Sequence, residues 1–108
     1  MNQPMTVLDR VHFDHMTGAD RALQLEVLGL FRGQVEGWRA AFAEGQSWRD
    51  AVHTLKGSAR GIGLNALAAA CEAAEQAPDA GRDAALERVR VALHEALAAL
   101  EQFAAEAA

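Results

Sequence analysis

Tyrosine is absent from this chain of 108 residues, isoleucine and cysteine occur once each, and proline occurs twice. The basic residues are lopsided too: nine arginines against a single lysine, Lys56. Each shortage excludes something. The one cysteine, Cys71, cannot form an intramolecular disulfide, and no Cys/His spacing suggests a zinc site. With seven Val, three Thr and one Ile there is little material for strands, whereas 25 Ala and 12 Leu are strong helix formers. A formal net charge of −5 argues against nucleic acid as a partner, because displacing counterions from a phosphate backbone needs a basic surface. There is no apolar run of membrane-spanning length, and the N-terminus lacks both a basic n-region and an apolar h-region. The expectation is therefore a cytoplasmic, all-α protein without a membrane segment. The length fits a single domain over 1–108, with an ordered helical core over about 6–104.

Hydrophobic periodicity divides the chain into five helices. A short one, over about 6–15, opens at Thr6-x-x-Asp9 in capping-box fashion, carries Leu8 and Val11 (with His12 at the margin), and breaks at Thr17-Gly18. A long helix over about 19–44 bears Leu28, Phe31, Val35, Trp38 and Phe42 at alternating steps of three and four. Leu23, Val27 and Leu30 are expected to widen that stripe, and Gly45 to follow its end. A third helix, over about 47–60, starts at Ser47 with Asp50 three residues on, buries Trp48, Val52, Leu55 and Ala59 with Ile62 near its end, and stops at Gly61 and Gly63. The fourth, over about 64–77, has Leu67, Cys71 and Ala74 in phase and is stopped by Pro78. The last starts between Asp79 and Asp83 and aligns Leu86, Val89, Leu93, Leu97, Leu100 and Phe103. Short connections make successive helices antiparallel. The predicted architecture is an up-and-down antiparallel four-helix bundle with a short additional N-terminal helix.

The chemistry concentrates in His53-Thr54-Leu55-Lys56-Gly57-Ser58-Ala59-Arg60. At about 100° per residue, Arg49, His53, Lys56, Gly57 and Arg60 share one face, away from Val52 and Leu55. An acidic chain thus gathers three cations around one surface histidine. Such cations would favour the neutral, nucleophilic imidazole and would stabilise charge on a phosphoryl group. Gly57, one turn after the histidine, costs about 1 kcal/mol relative to Ala in mid-helix, and removes bulk that would block an approaching partner. These residues alone define a site for some anion.

The run from His53 to Ala59, followed by Gly63, Leu67, Cys71 and Glu75, resembles the histidine-containing phosphotransfer (HPt) domain of bacterial phosphorelays. The family is a four-helix bundle whose exposed histidine exchanges a phosphoryl group with an aspartate of a response-regulator receiver domain. The resemblance implies that His53 is the phospho-acceptor through Nε2, that Lys56 stabilises the phosphoryl group, and that Gly57 clears the approach. It also implies that Glu75 orients the imidazole through Nδ1–H. Arg49 and Arg60, from their place on the shared face, are expected to add electrostatic attraction for the partner. Leu64 and Ala74 depart from the family's usual Ala and Leu there, and Arg60-Gly61 replaces a more usual small or Asn-containing pair. Partners would be receiver domains and a hybrid or sensor histidine kinase. No cofactor is expected on this chain, Mg²⁺ belonging to the receiver, and the protein is expected to be a monomer.

The remaining features have plainer readings. Gly29, Gly33 and Gly37, four residues apart, could flatten a docking surface or pack against the first helix. Cys71 reads as a small core residue, Trp38 and Trp48 as core, and Glu72 with Glu75 as a solvated face. His12, His15 and His94 could suggest a metal, but the Glu-x-x-His pairs of di-iron bundles are missing. No Gly-rich nucleotide loop is present, so the chain has no means of phosphorylating itself from ATP. Two alternatives stay open: the dimerisation and phosphoacceptor domain of a sensor kinase, and an interaction module that binds receivers or kinases without turnover. The first usually has an acidic residue after its histidine, where this chain has Thr54.

The isolation of the lone lysine three residues after His53 generates a test. A compact ammonium makes a point contact with a phosphate, whereas a guanidinium is planar and bulkier. Lys56→Arg is expected to slow transfer or shorten the lifetime of phospho-His53 in a phosphotransfer assay; wild-type behaviour would return the asymmetry to chance.

Overall fold

The alternating steps of three and four dictate which faces meet. In the computed structural model, which describes residues 6–43 and 47–106, five α-helices carry the chain: α1 (Arg10–Thr17), α2 (Arg21–Ala43), α3 (Trp48–Ile62), α4 (Asn65–Gln76) and α5 (Arg82–Glu106). A single 3-10 turn at Asp79–Gly81 precedes α5. Helices α2 to α5 pack each on the next, α5 packs back on α2, and α1 lies against α3. The described residues contain no strand. This is the bundle with an added N-terminal helix that the periodicity predicts. Among the described helices none is long and apolar enough to cross a membrane.

The stripes of α2 to α5 make the core. Leu28, Phe31, Val35, Trp38 and Phe42 of α2 are buried, as are Trp48, Val52, Leu55, Ala59 and Ile62 of α3. From α4 come Leu67, Cys71 and Ala74, and from α5 Leu86, Val89, Leu93 and Leu100, with Leu97 and Phe103 partly buried. Small residues at Ala59, Ala68, Cys71 and Ala74 are all in the core, where they let α3 and α4 approach closely. The flank of α2 departs from expectation. Leu23 and Leu30 are exposed and Val27 is partly buried, because α3 covers only one side of the longer helix. Leu30 and Val27 instead line a shallow groove of about 250 Å³ with Met16, Phe31 and Ile62.

The N-terminal segment is the main correction. Helix α1 begins at Arg10, not near position 6, because Asp9 is the cap: its carboxylate accepts the His12 N–H at 3.0 Å. Thr6 is engaged elsewhere, its C=O accepting the Ala66 N–H at 2.9 Å. The buried side chains of α1 are Phe13 and Thr17, while Val11 is 81% exposed. Phe13 meets Phe103 edge-on at 5.2 Å between ring centroids. Gln24, buried on α2, donates to Asp14 at 2.8 Å and to Thr17 Oγ1 at 3.1 Å, so α1 and α2 share a satisfied polar contact.

Helix ends follow local rules in most places. Pro78 holds Ala77 in an extended conformation and ends α4. Ser47 precedes α3 but makes no side-chain cap hydrogen bond. Gly61 lies inside α3, and Gly63, at φ +97°, terminates it; the Leu64 N–H reaches back to the Ala59 C=O at 2.8 Å. The position expected to end α2, Gly45, lies outside the described residues. The N-terminal segment clasps the α3–α4 turn: Asp9 N–H donates to Gly63 C=O at 2.8 Å, and His12 Nε2–H to Gly61 C=O at 3.0 Å.

Gly63 is thus fixed twice, by its left-handed backbone and by the clasp. A Cβ there would lie 3.0 Å from His12 Cδ2 and 3.2 Å from the Asp9 carbonyl oxygen. Gly63→Ala is expected to destabilise the fold by about 1–2 kcal/mol, read as a lower urea midpoint at unchanged slope.

Candidate functional site

Helix α3 can bury one stripe only, so His53, opposite Val52 and Leu55, must face outward. Its side chain is 72% exposed. On the edge of α3 that meets α4, Lys56 is the reverse, with only 11% of its side chain exposed. Glu72 and Glu75, three residues apart on α4, lie opposite. The Lys56 ammonium sits 2.9 Å from Glu72 Oε2 and 2.7 Å from Glu75 Oε1. The second Glu75 oxygen, Oε2, lies 3.2 Å from His53 Nδ1. One carboxylate therefore bridges the imidazole and the ammonium.

The chemistry of the bridge fixes the proton on the ring. The Glu75 carboxyl is held below the usual carboxylate range, chiefly by the Lys56 ammonium and secondarily by His53, against an opposing effect of burial. An ionised carboxylate only accepts hydrogen bonds. Nδ1 must therefore be the donor, and in the neutral ring Nε2 carries the free lone pair. Nε2 has no hydrogen-bond partner among the described residues.

The other cations of the predicted basic face are also engaged. Arg49 donates to the Glu75 C=O at 2.8 Å and the Ala77 C=O at 3.1 Å, satisfying the carbonyl end of α4, and pairs with Asp79 at 3.1 Å. Its guanidinium also stacks over Trp48, 4.3 Å from the ring centroid. Arg60 lies 3.4 Å from Glu72 Oε2 and is largely exposed. So the histidine is not surrounded by three free positive charges, as the helical wheel of α3 suggests; carboxylates and carbonyls of α4 meet each one.

Gly57 lies next to His53 on the exposed face, and a Cβ at that position would touch nothing within 4 Å. Nothing inside the protein requires glycine there. Gly29, Gly33 and Gly37 are likewise open, on the solvent side of α2, so packing against α1 does not account for them. Cys71 is fully buried behind the site, and desolvation pushes its thiol up to about 12. His12 is taken by the Gly61 carbonyl. Among the described residues no three His, Cys, Asp or Glu side chains are grouped to hold a metal. The residue that sequence reading missed is Glu72, taken for a solvated charge. Its signal was its place one helical turn before Glu75, which puts both on the same edge of α4.

A helical bundle with an exposed histidine backed by a carboxylate and a lysine is the architecture of a phosphotransfer protein. The comparisons agree. The sequence profile of the Hpt domain matches residues 14–103, and the chain belongs to that family, the histidine phosphotransfer proteins of phosphorelays. Among solved structures, the histidine phosphotransferase ShpA from Caulobacter crescentus is similar at 38% identity, over 94% of this chain and 93% of that one, with a TM-score of 0.77. Among curated proteins none matches this chain.

The ion pairs make stability depend on pH at both ends. Glu72 and Glu75 are held below the ordinary glutamate value of 4.5, both chiefly by Lys56. Between the folded and unfolded values the unfolded chain binds more protons, so their contribution is present above 4.5 and lost as pH falls through the lower folded values. Lys56, raised above 10.5 chiefly by Glu75 and then Glu72, contributes below that value and loses it as pH rises past the folded one. Denaturation midpoints across the acid range are expected to fall with pH in the wild type and to fall less in Lys56→Met.

Proposed function

We propose that His53 is the phosphoryl acceptor of a phosphorelay, receiving the group from the aspartyl phosphate of one receiver domain and passing it to another. The observation that supports this best is the hydrogen bond from His53 Nδ1–H to Glu75 Oε2 at 3.2 Å, which leaves Nε2 as the nucleophilic nitrogen on a largely exposed ring. In the reaction, the Nε2 lone pair attacks phosphorus and the P–O bond to the aspartyl oxygen breaks. Aspartate leaves as a carboxylate without needing a proton. The ring keeps Nδ1–H and becomes positively charged, and Glu75 is in contact with the nitrogen that bears that proton. A carboxylate so placed stabilises the cation as it forms and prevents the other tautomer, as an orienting acid does for a catalytic histidine.

The remaining residues have supporting parts. Lys56 offers its ammonium to the phosphoryl oxygens, and Gly57 leaves the face beside the ring open to the receiver's active site. Arg60, exposed beside them, attracts the acidic surroundings of the receiver's phosphorylated aspartate. Arg49, tied to the end of α4, acts mainly by holding that helix end in place. The Mg²⁺ that assists the transfer resides on the receiver, and phosphoryl groups enter the relay from a hybrid or sensor kinase. A monomer in the cytoplasm suits this role. Four core helices close within one chain, which favours it over a kinase dimerisation domain, where two hairpins combine.

Incubation with a phosphorylated receiver is expected to label the protein in acid-labile, base-stable form, and His53→Gln is expected to take no label. Equal labelling of that variant would remove His53 from the role. A tight dimer by light scattering would favour the kinase-domain alternative.

A further inference from the structure

The ammonium that is to meet a phosphoryl group is already held by two carboxylates. Glu75 has a second partner in His53 and a part in orienting it. Glu72 makes no hydrogen bond or ion pair with the imidazole; its Oε2 meets Lys56 at 2.9 Å and Arg60 at 3.4 Å, and its Oε1 accepts from Gln76 at 2.9 Å. The ammonium and the imidazole meet opposite oxygens of Glu75, so Lys56 lies toward α4 and Glu72 draws it further that way. A phosphoryl group on Nε2 must therefore compete with Glu72 for the ammonium.

We infer that Glu72 is a positioning residue that holds Lys56 partly back from the phosphoryl group and so keeps phospho-His53 at a high transfer potential. This rests on His53 being the acceptor. The physical ground is simple. Two unit negative charges within 3 Å neutralise the ammonium, and its attraction for a third, the phosphoryl group, is reduced accordingly. An intermediate that must hand its group on is served by that reduction, since a fully engaged lysine would make phospho-His53 a sink. Glu72 is about half exposed, so its charge can be removed without leaving a buried group unpaired.

The test compares wild type and Glu72→Gln, each phosphorylated on histidine with phosphoramidate. Nε2 attacks phosphorus, the P–N bond of the donor breaks, and ammonia leaves with the donor's own proton. No receiver is needed at this stage. If the wild type takes no phosphoryl group at His53, the acceptor assignment itself fails, separately from the inference. With both proteins loaded, ³¹P NMR titration reads the ionisation of the phosphoryl group. Freed from Glu72, Lys56 is expected to favour the dianion and raise the ionisation constant roughly threefold to tenfold in Glu72→Gln. The partition of phosphoryl groups between His53 and a receiver is expected to move toward His53 by a similar factor. In a Lys56→Met background the Glu72→Gln effect is expected to vanish, because it acts through the ammonium. An unchanged or lower ionisation constant in Glu72→Gln, or an effect that persists without Lys56, would overturn the inference. Glu72→Ala, which also removes the contacts to Arg60 and Gln76, is expected to shift the titration in the same direction.

Discussion

One carboxylate, Glu75, sets the state of everything else at the site. An imidazole on an exposed helical face would otherwise sample both neutral tautomers and several rotamers. A single 3.2 Å contact to Nδ1 selects one tautomer and one orientation. That contact does its work only while the carboxyl is ionised, and the ion pair with Lys56 at 2.7 Å keeps it so. Lys56 in turn is kept charged by Glu75 and Glu72 together. The chain of dependence runs across the α3–α4 interface and nowhere else.

The interface therefore has to be close. Long side chains could not meet with these distances if bulky residues separated the two helices. The core between them is built from Ala59, Ala68, Cys71 and Ala74, with Leu55 and Leu67 supplying apolar volume. The alanine richness of the second half is a geometric device as well as a helix-forming one. The turn joining the helices is held just as firmly. Gly63 allows the reversal, and the clasp from Asp9 and His12 fixes it from outside. The N-terminal segment, remote from His53 in sequence, thereby braces the end of the helix that carries it.

What could be read from the sequence follows from how local the causes are. The stripe of α2 and the phases of α3, α4 and α5 come from apolar spacing, and the residues on them are buried as that spacing requires, Leu97 and Phe103 only partly. The start of α1 is not legible locally, because Thr6-x-x-Asp9 looks like a cap in isolation, while the true arrangement has Asp9 as the cap and Thr6 bonded to Ala66, a contact no local pattern contains. Val11 and Leu30 look apolar and core-bound on a wheel, yet no neighbouring helix covers them. At the site, the register of His53, Lys56 and Gly57 was legible on one helix. The neutralisation of Lys56, Arg49 and Arg60 was not, because it comes from α4, and a wheel of α3 has no knowledge of what faces it.

The lone lysine follows from the same interface. Its slot admits 11% of the side chain to solvent and presents two carboxylates at 2.7 and 2.9 Å. An ammonium is compact and has three donors on freely rotating bonds, enough for both carboxylates with one left over. A guanidinium would need two coplanar acceptors along one edge and more width than the small-residue interface provides. Arginines that form ion pairs elsewhere, Arg10 with Glu106, Arg32 with Glu101, Arg39 with Glu36 and Arg60 with Glu72, sit on exposed surfaces where width is unconstrained. Rotation about the terminal bond leaves the ammonium free to turn a donor outward without leaving its two ion pairs. That freedom lets the same side chain belong to the fold and still answer to a charge arriving on His53.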